Sequence, residues 1–140
     1  MSLELGKSVV VPIDFGDLTE LAINSAIRAA DSASAVTIVN VAPDLTAIEP
    51  GVAWGEVSDE SRRNELVKLF RERYPQFSSL RFEVLFGDAG HQIANYAQKL
   101  EASLIVIPSH GRTGIKHLLI GSTAERVVRF AHCPVLVLRN

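Results

Sequence analysis

The sequence predicts an α/β domain built on a single doubly wound, five-stranded parallel sheet with helices on both faces. Three observations carry this expectation. Short runs rich in Val and Ile recur along the chain, at Val9–Ile13, Val36–Val41, Leu104–Ile107 and Val135–Leu138. Unbroken apolar runs of this length suit strands buried on both faces of a parallel sheet. Stretches with apolar residues at helical spacing lie between them, and the two patterns alternate strictly, as crossover connections between parallel strands require.

The elements follow in order. After the first strand, Asp17-Leu18-Thr19-Glu20 reads as a capping box, with Asp17 as N-cap and Glu20 reaching back. Leu18, Ala22, Ala26 and Ala29 then recur at helical spacing. Val36–Val41 is the second strand. Ala42–Glu56 follows it, with two Pro and two Gly, and is the longest irregular stretch. It leaves the carboxyl edge of the sheet, where ligands bind in this class. Its lone Trp54 reads either as a cover for the crevice, as a partner contact or as plain packing. Residues 57–73 form a polar helix with Val57, Leu66, Leu69 and Phe70 on the buried side, ended by Tyr74-Pro75. Arg62-Arg63 and Arg71-Glu72-Arg73 read as its solvated face. Leu80–Phe86 alternates more and is expected at an edge. Asp88 caps a third helix carrying Ala89, Ile93, Ala97 and Leu100 on one face. Ser122-Thr123-Ala124-Glu125 is a second capping-box candidate, opening a helix that stops before Pro134. The last strand, Val135–Leu138, ends almost at the terminus.

Size and composition bound the function. A chain of 140 residues fits one domain, residues 1–140, and 47% apolar with 21% charged residues excludes a disordered chain. The net charge of -2 provides no positive field for nucleic acid or acidic lipid. Apolar runs of four to five residues are far short of the roughly 20 needed to span a membrane. No signal segment opens the chain, so the cytoplasm is the expected compartment. The single cysteine, Cys133, allows no internal disulfide and reads as an inert core thiol. His91, His110, His117 and His132 lack paired zinc-ligand spacing.

The most informative stretch is Pro108-Ser109-His110-Gly111-Arg112-Thr113-Gly114-Ile115-Lys116-His117-Leu118-Leu119-Ile120-Gly121-Ser122. It follows a buried strand and opens a helix, whose first N–H groups and partial positive charge suit a phosphate. Gly111 and Gly121 would let backbone approach an anion, and the Ser122 hydroxyl either bonds a phosphate oxygen or caps its own helix. Arg112, Lys116 and His117 either screen phosphate charge or are simply solvated. Ser109, His110 and Asp14 are residue types of a hydrolase triad. However, neighbours on a strand end point to opposite sides, and no Gly-x-Ser-x-Gly elbow is present. No catalytic residue is assigned.

This stretch resembles the nucleotide-binding branch of the universal stress protein family. Gly111, nine residues, then Gly121-Ser122 matches that branch's phosphate loop. His110-Gly111-Arg112-Thr113-Gly114, Ala124-Glu125-Arg126-Val127 and Cys133-Pro134-Val135-Leu136-Val137 are also similar, as are Val11-Pro12-Ile13-Asp14-Phe15, Gly87-Asp88 and Ala102-Ser103-Leu104-Ile105-Val106. The resemblance covers nearly the whole chain, least in residues 42–61. It implies the adenine nucleotide alpha hydrolase-like arrangement with strand order 3-2-1-4-5. The implied ligand is ATP or another adenine nucleotide, with or without Mg2+. The resemblance puts Asp14 on the ribose hydroxyls, the Val41 backbone on the adenine edge, and Gly111, Gly121, Ser122 and Thr123 on the phosphates. Pro12, Pro108 and Arg112 complete the candidate set. Asp14 also reads as a strand-end cap. Pro108 stands where the family's first glycine stands. It lacks an N–H, so the expectation is retuned rather than abolished binding. The resemblance further implies a homodimer paired through Val135–Leu138, and a stress-response regulator that works without turnover. A slow ATPase and a non-nucleotide interaction module remain as alternatives.

Overall fold

The structure is a computed structural model that describes residues 4–44, 58–110 and 120–139. Its strands are β1 (Val9–Pro12), β2 (Val36–Ala42), β3 (Arg81–Phe86), β4 (Leu104–Pro108) and β5 (Val135–Leu138). Its helices are α1 (Thr19–Ala29), α2 (Asp59–Arg73), α3 (Ala89–Lys99) and α4 (Ser122–Phe130). All strands run parallel in the order β3-β2-β1-β4-β5, so the expected sheet is present.

The pleat of β1 sorts the core into two layers. Val9, Val11, Ile13 and Phe15 pack with Ala22, Ile23 and Ala26 of α1 and with Phe70 and Tyr74. Val10 points to the other face, with Ile93 and Ala97 of α3 and Ala124 and Val127 of α4. Burying a side chain of this kind contributes roughly 1.5–3 kcal/mol, so the completely buried β1 anchors both layers. On the α2 side the layer is aromatic: Phe70 stacks on Phe82 with centroids 4.3 Å apart and meets Tyr74 at 5.6 Å.

Several local expectations are corrected. α1 starts two residues after Asp17, with Leu18 at the N-cap and no side-chain cap. Glu20 therefore does not reach back and instead accepts from Gln76 Nε2 at 2.9 Å. In α4, Gly121 takes the N-cap and Ser122 becomes the first helical residue, so no capping box closes there. Glu125 pairs with Arg129 one turn on. The box that does form is at α2, where Ser58 and Ser61 exchange side-chain-to-backbone bonds of 3.1 and 3.0 Å. Leu69 is exposed, while Phe70 is buried as expected; Val57 and Trp54 lie outside the described residues. Arg62 is not solvated: its side chain is 15% exposed, donates to the Pro43 carbonyl at 2.6 Å and lies over the Phe86 ring. Arg73 covers Phe15 and Tyr74. β5 is only half-buried, because it lies at an edge and has β4 on one side alone. β3 is the opposite edge, as its alternation predicts.

Candidate functional site

The hydrogen-bond ladder between β1 and β4 stops early, and the cause is chemical. Alternate residues of a strand direct their backbone groups to the same neighbour. Ser8 accepts from Ser103 N–H on the β4 side, whereas Ile13 N–H donates to Val39 on the β2 side at 2.8 Å. By this alternation Val10 and Pro12 face β4. On β4, Ile105 and Ser109 donate toward β5, so Val106 and Pro108 face β1. Pro12 and Pro108 stand where the next β1–β4 bonds would form, and neither has an N–H to give. β1 and β4 pair at Val9↔Leu104 and Val10↔Ile105, while β1 and β2 stay paired through Pro12↔Val39. The ladder thus ends at the carboxyl edge, at the point where strand order reverses, which is the crevice position of this fold class.

Asp14 sits at the mouth of this crevice. Its Oδ1 accepts from Gly16 N–H at 2.9 Å, which turns the chain away from β1. Phe15 takes a left-handed conformation with φ 65°, a cost of roughly 1–2 kcal/mol for a non-glycine residue. It is held there by burial and by stacking on Tyr74. The group that fixes this exit from β1 is not among the residues that the sequence singles out. Asn40, 8% exposed, reaches from β2 and donates its Nδ2 to the Ile13 carbonyl at 2.8 Å. The signal was available as one amide inside the apolar run of β2. By the same alternation Val41, like Val39, turns its backbone groups toward the β1 side, beyond the last β1 pair.

Across the crevice, α4 begins against the end of β4. Gly121 N–H donates to the Ser109 carbonyl. A Cβ on Gly121 would lie 2.8 Å from that carbonyl oxygen and 3.2 Å from His110 Cα. Glycine is therefore required here by backbone contact, whatever a ligand adds. Ser122 and Thr123 are exposed at the start of the helix, where first-turn N–H groups lack intrahelical partners. Gly111, Arg112, Lys116 and His117 lie outside the described residues. Ser109 and His110 do not point apart as expected: Ser109 Oγ is 3.3 Å from His110 Nδ1, because both follow the end of β4 and the pleat no longer applies.

α3 starts beside α4 at the same edge. Asp88 caps it, accepting from His91 N–H at 3.1 Å, and also binds Arg126 Nη1 of α4 at 2.6 Å. The His91 N–H first, and then the Arg126 guanidinium, hold the Asp88 carboxyl below its ordinary range. The helices touch closely here, since a Cβ on Gly90 would lie 2.8 Å from Arg126 Cβ.

The opposite, amino-terminal edge carries a shallow cavity of about 270 Å³ lined by Gln98, Glu101, Ala102, His132 and Cys133. It lies before β4 and β5, away from the crevice. Burial pushes the Cys133 thiol up, which fits an unreactive packing group. Among the described residues no three His, Cys, Asp or Glu side chains are grouped to hold a metal, and no helix is long and apolar enough to cross a membrane.

Comparison with known proteins adds to this geometry. The family model described as "Universal stress protein family" matches residues 6–139. Universal stress protein MJ0531 of Methanocaldococcus jannaschii is 32% identical, over 97% of this chain and 84% of that protein. The solved structure of MJ0577, a universal stress protein of the same archaeon, superposes with a TM-score of 0.73 at 21% identity and covers 97% of both chains. A universal stress protein solved in complex with cAMP superposes with a TM-score of 0.65 at 18% identity, over 96% of this chain and 98% of that one.

Proposed function

The chain belongs to the universal stress protein family, and from that premise we propose that it binds an adenine nucleotide, ATP or a relative, in the crevice between β1 and β4. The observation that carries the reading is the early end of the β1–β4 ladder before Pro12 and Pro108, with Asp14 following one strand and the start of α4 set against the end of the other. The residues fit such a ligand. Asp14 offers a carboxylate oxygen to ribose hydroxyls. The Val41 backbone offers a donor and an acceptor to the adenine edge. Ser122 and Thr123 offer N–H and hydroxyl groups to phosphates, Gly121, whose own N–H goes to Ser109, lets them approach, and Gly111 and Arg112 join them in this reading. Pro108 contributes a carbonyl but no N–H, so recognition of the sugar rests more heavily on Asp14. A related fold solved with cAMP supports the class of ligand. Any magnesium would rely on phosphate oxygens for part of its coordination.

The protein would act as a ligand-dependent regulator in the stress response, without turnover, as a cytoplasmic homodimer paired through β5. Calorimetric titration with ATP tests the ligand. Wild type gives a binding isotherm, and Asp14→Ala weakens it at least about tenfold, since a hydrogen bond to a charged group contributes about 1.5–3 kcal/mol. No heat for wild type, with or without magnesium, overturns the reading.

A further inference from the structure

Two helices begin side by side at the crevice edge, and they are finished differently. The start of α3 is closed by its own carboxylate, Asp88, which accepts the His91 N–H. The start of α4 has Gly121 at the N-cap and no side-chain cap. An anion at this edge thus meets the first turn of α4, whose N-cap supplies no side chain, and a negative charge on α3. Arg126 stands between the two. It lies one turn after Ser122 on the same face of α4, and helical side chains lean toward the helix N-terminus. Its guanidinium is turned to Asp88 at 2.6 Å, with the two side chains 37% and 42% exposed. An ion pair this exposed is weak enough to be redistributed when a stronger anion arrives.

We propose that the Asp88–Arg126 pair sets the preference of the α4 phosphate site for the number of phosphates on its nucleotide; this rests on the adenine-nucleotide reading above. Arg126 offsets the Asp88 charge and shares its own positive charge with whatever sits before α4. A triphosphate gains more from that charge than a monophosphate, and would lose more to an uncompensated Asp88. Arg126 is therefore a specificity-determining residue, and Asp88 the group that meters it.

The test is the ratio of ATP to AMP affinity, measured by calorimetry at low and high salt. Arg126→Gln lowers the ratio about fivefold, the change that corresponds to about 1 kcal/mol. Asp88→Asn, which frees Arg126 and still caps α3, raises it by a similar factor. The double variant returns close to wild type. Both single effects shrink in 0.5 M salt, as the screening length shortens. A purely structural role would weaken both nucleotides together and leave the ratio unmoved. Ratios within about twofold of wild type in both single variants overturn the proposal, as does a double variant that keeps the Asp88→Asn rise. Should Arg126→Gln fail to fold, Asp88→Asn decides alone. Wild type that binds neither nucleotide sinks the nucleotide reading itself, whereas binding with an unmoved ratio sinks only this inference.

Discussion

Replacing Asn40 by Asp changes one atom and should make stability strongly dependent on pH. The Asn40 amide donates to the Ile13 carbonyl at 2.8 Å in a site only 8% exposed. An ionised carboxylate cannot donate, and it would face that carbonyl oxygen directly. The protein can avoid this by protonating the new side chain, which then donates as the amide does. At pH 7 that proton is about 3 pH units above the ordinary Asp value, at about 1.4 kcal/mol each, so the ionic penalty has a ceiling of about 4 kcal/mol. The folded-state pKa of the new Asp is raised, so its cost is small below the unfolded value and grows as pH rises toward the folded one. Asn40→Asp should thus lie within about 1 kcal/mol of wild type at pH 4 and fall progressively below it, by up to about 4 kcal/mol, at pH 7. Asn40→Ala removes the bond and leaves the carbonyl unpaired, a loss of about 1–3 kcal/mol that should not change with pH. Urea unfolding followed by circular dichroism at pH 4, 5.5 and 7, with wild type alongside, measures both. A constant gap between wild type and Asn40→Asp across that range would refute the assigned role of the amide.

Two further outcomes follow from the same geometry. Gly121→Ala should lower stability by about 1–3 kcal/mol, because its Cβ meets backbone that cannot rotate away; a melting curve that overlays wild type would show that α4 does not press on β4 as described. Leu136→Arg should convert the proposed dimer to a monomer in sedimentation velocity, since Leu136 is 43% exposed on the edge strand β5 and a charge there blocks edge pairing; unchanged sedimentation would exclude β5 as the interface.

The fold was legible in the sequence because burial on both faces writes itself as unbroken Val and Ile runs. β1, β2 and β4 carry that mark, and β3 carries the alternation of an edge. β5 carries the same unbroken apolar run although it is half-buried at an edge, because four apolar residues do not record that one neighbour is missing; its edge position comes from the strand order that the resemblance implies. Helix starts were less legible. Asp17-x-x-Glu20 and Ser122-x-x-Glu125 have the letters of a capping box, yet the turn after Asp14 and the contact of Gly121 with β4 decide where each helix begins. The working box uses Ser61 where the pattern calls for Glu or Gln. Of the candidate site, Asp14, Val41 and Gly121 are named by family resemblance. Asn40 and the Asp88–Arg126 pair are not, because each joins elements distant in sequence.

Pro12 and Pro108 have a mechanical consequence. Hydrogen bonds hold β3, β2 and β1 as one panel and β4 with β5 as another. The panels are laced together near the amino-terminal end, at Val9 and Val10, and the ladder does not continue toward the other end. Twisting forces on the sheet concentrate along that seam, as in a cloth stitched at one corner. A molecule gripped by Asp14 on one panel and by α4 on the other would act as the missing stitch. Amide exchange should therefore slow on both sides of the seam at once.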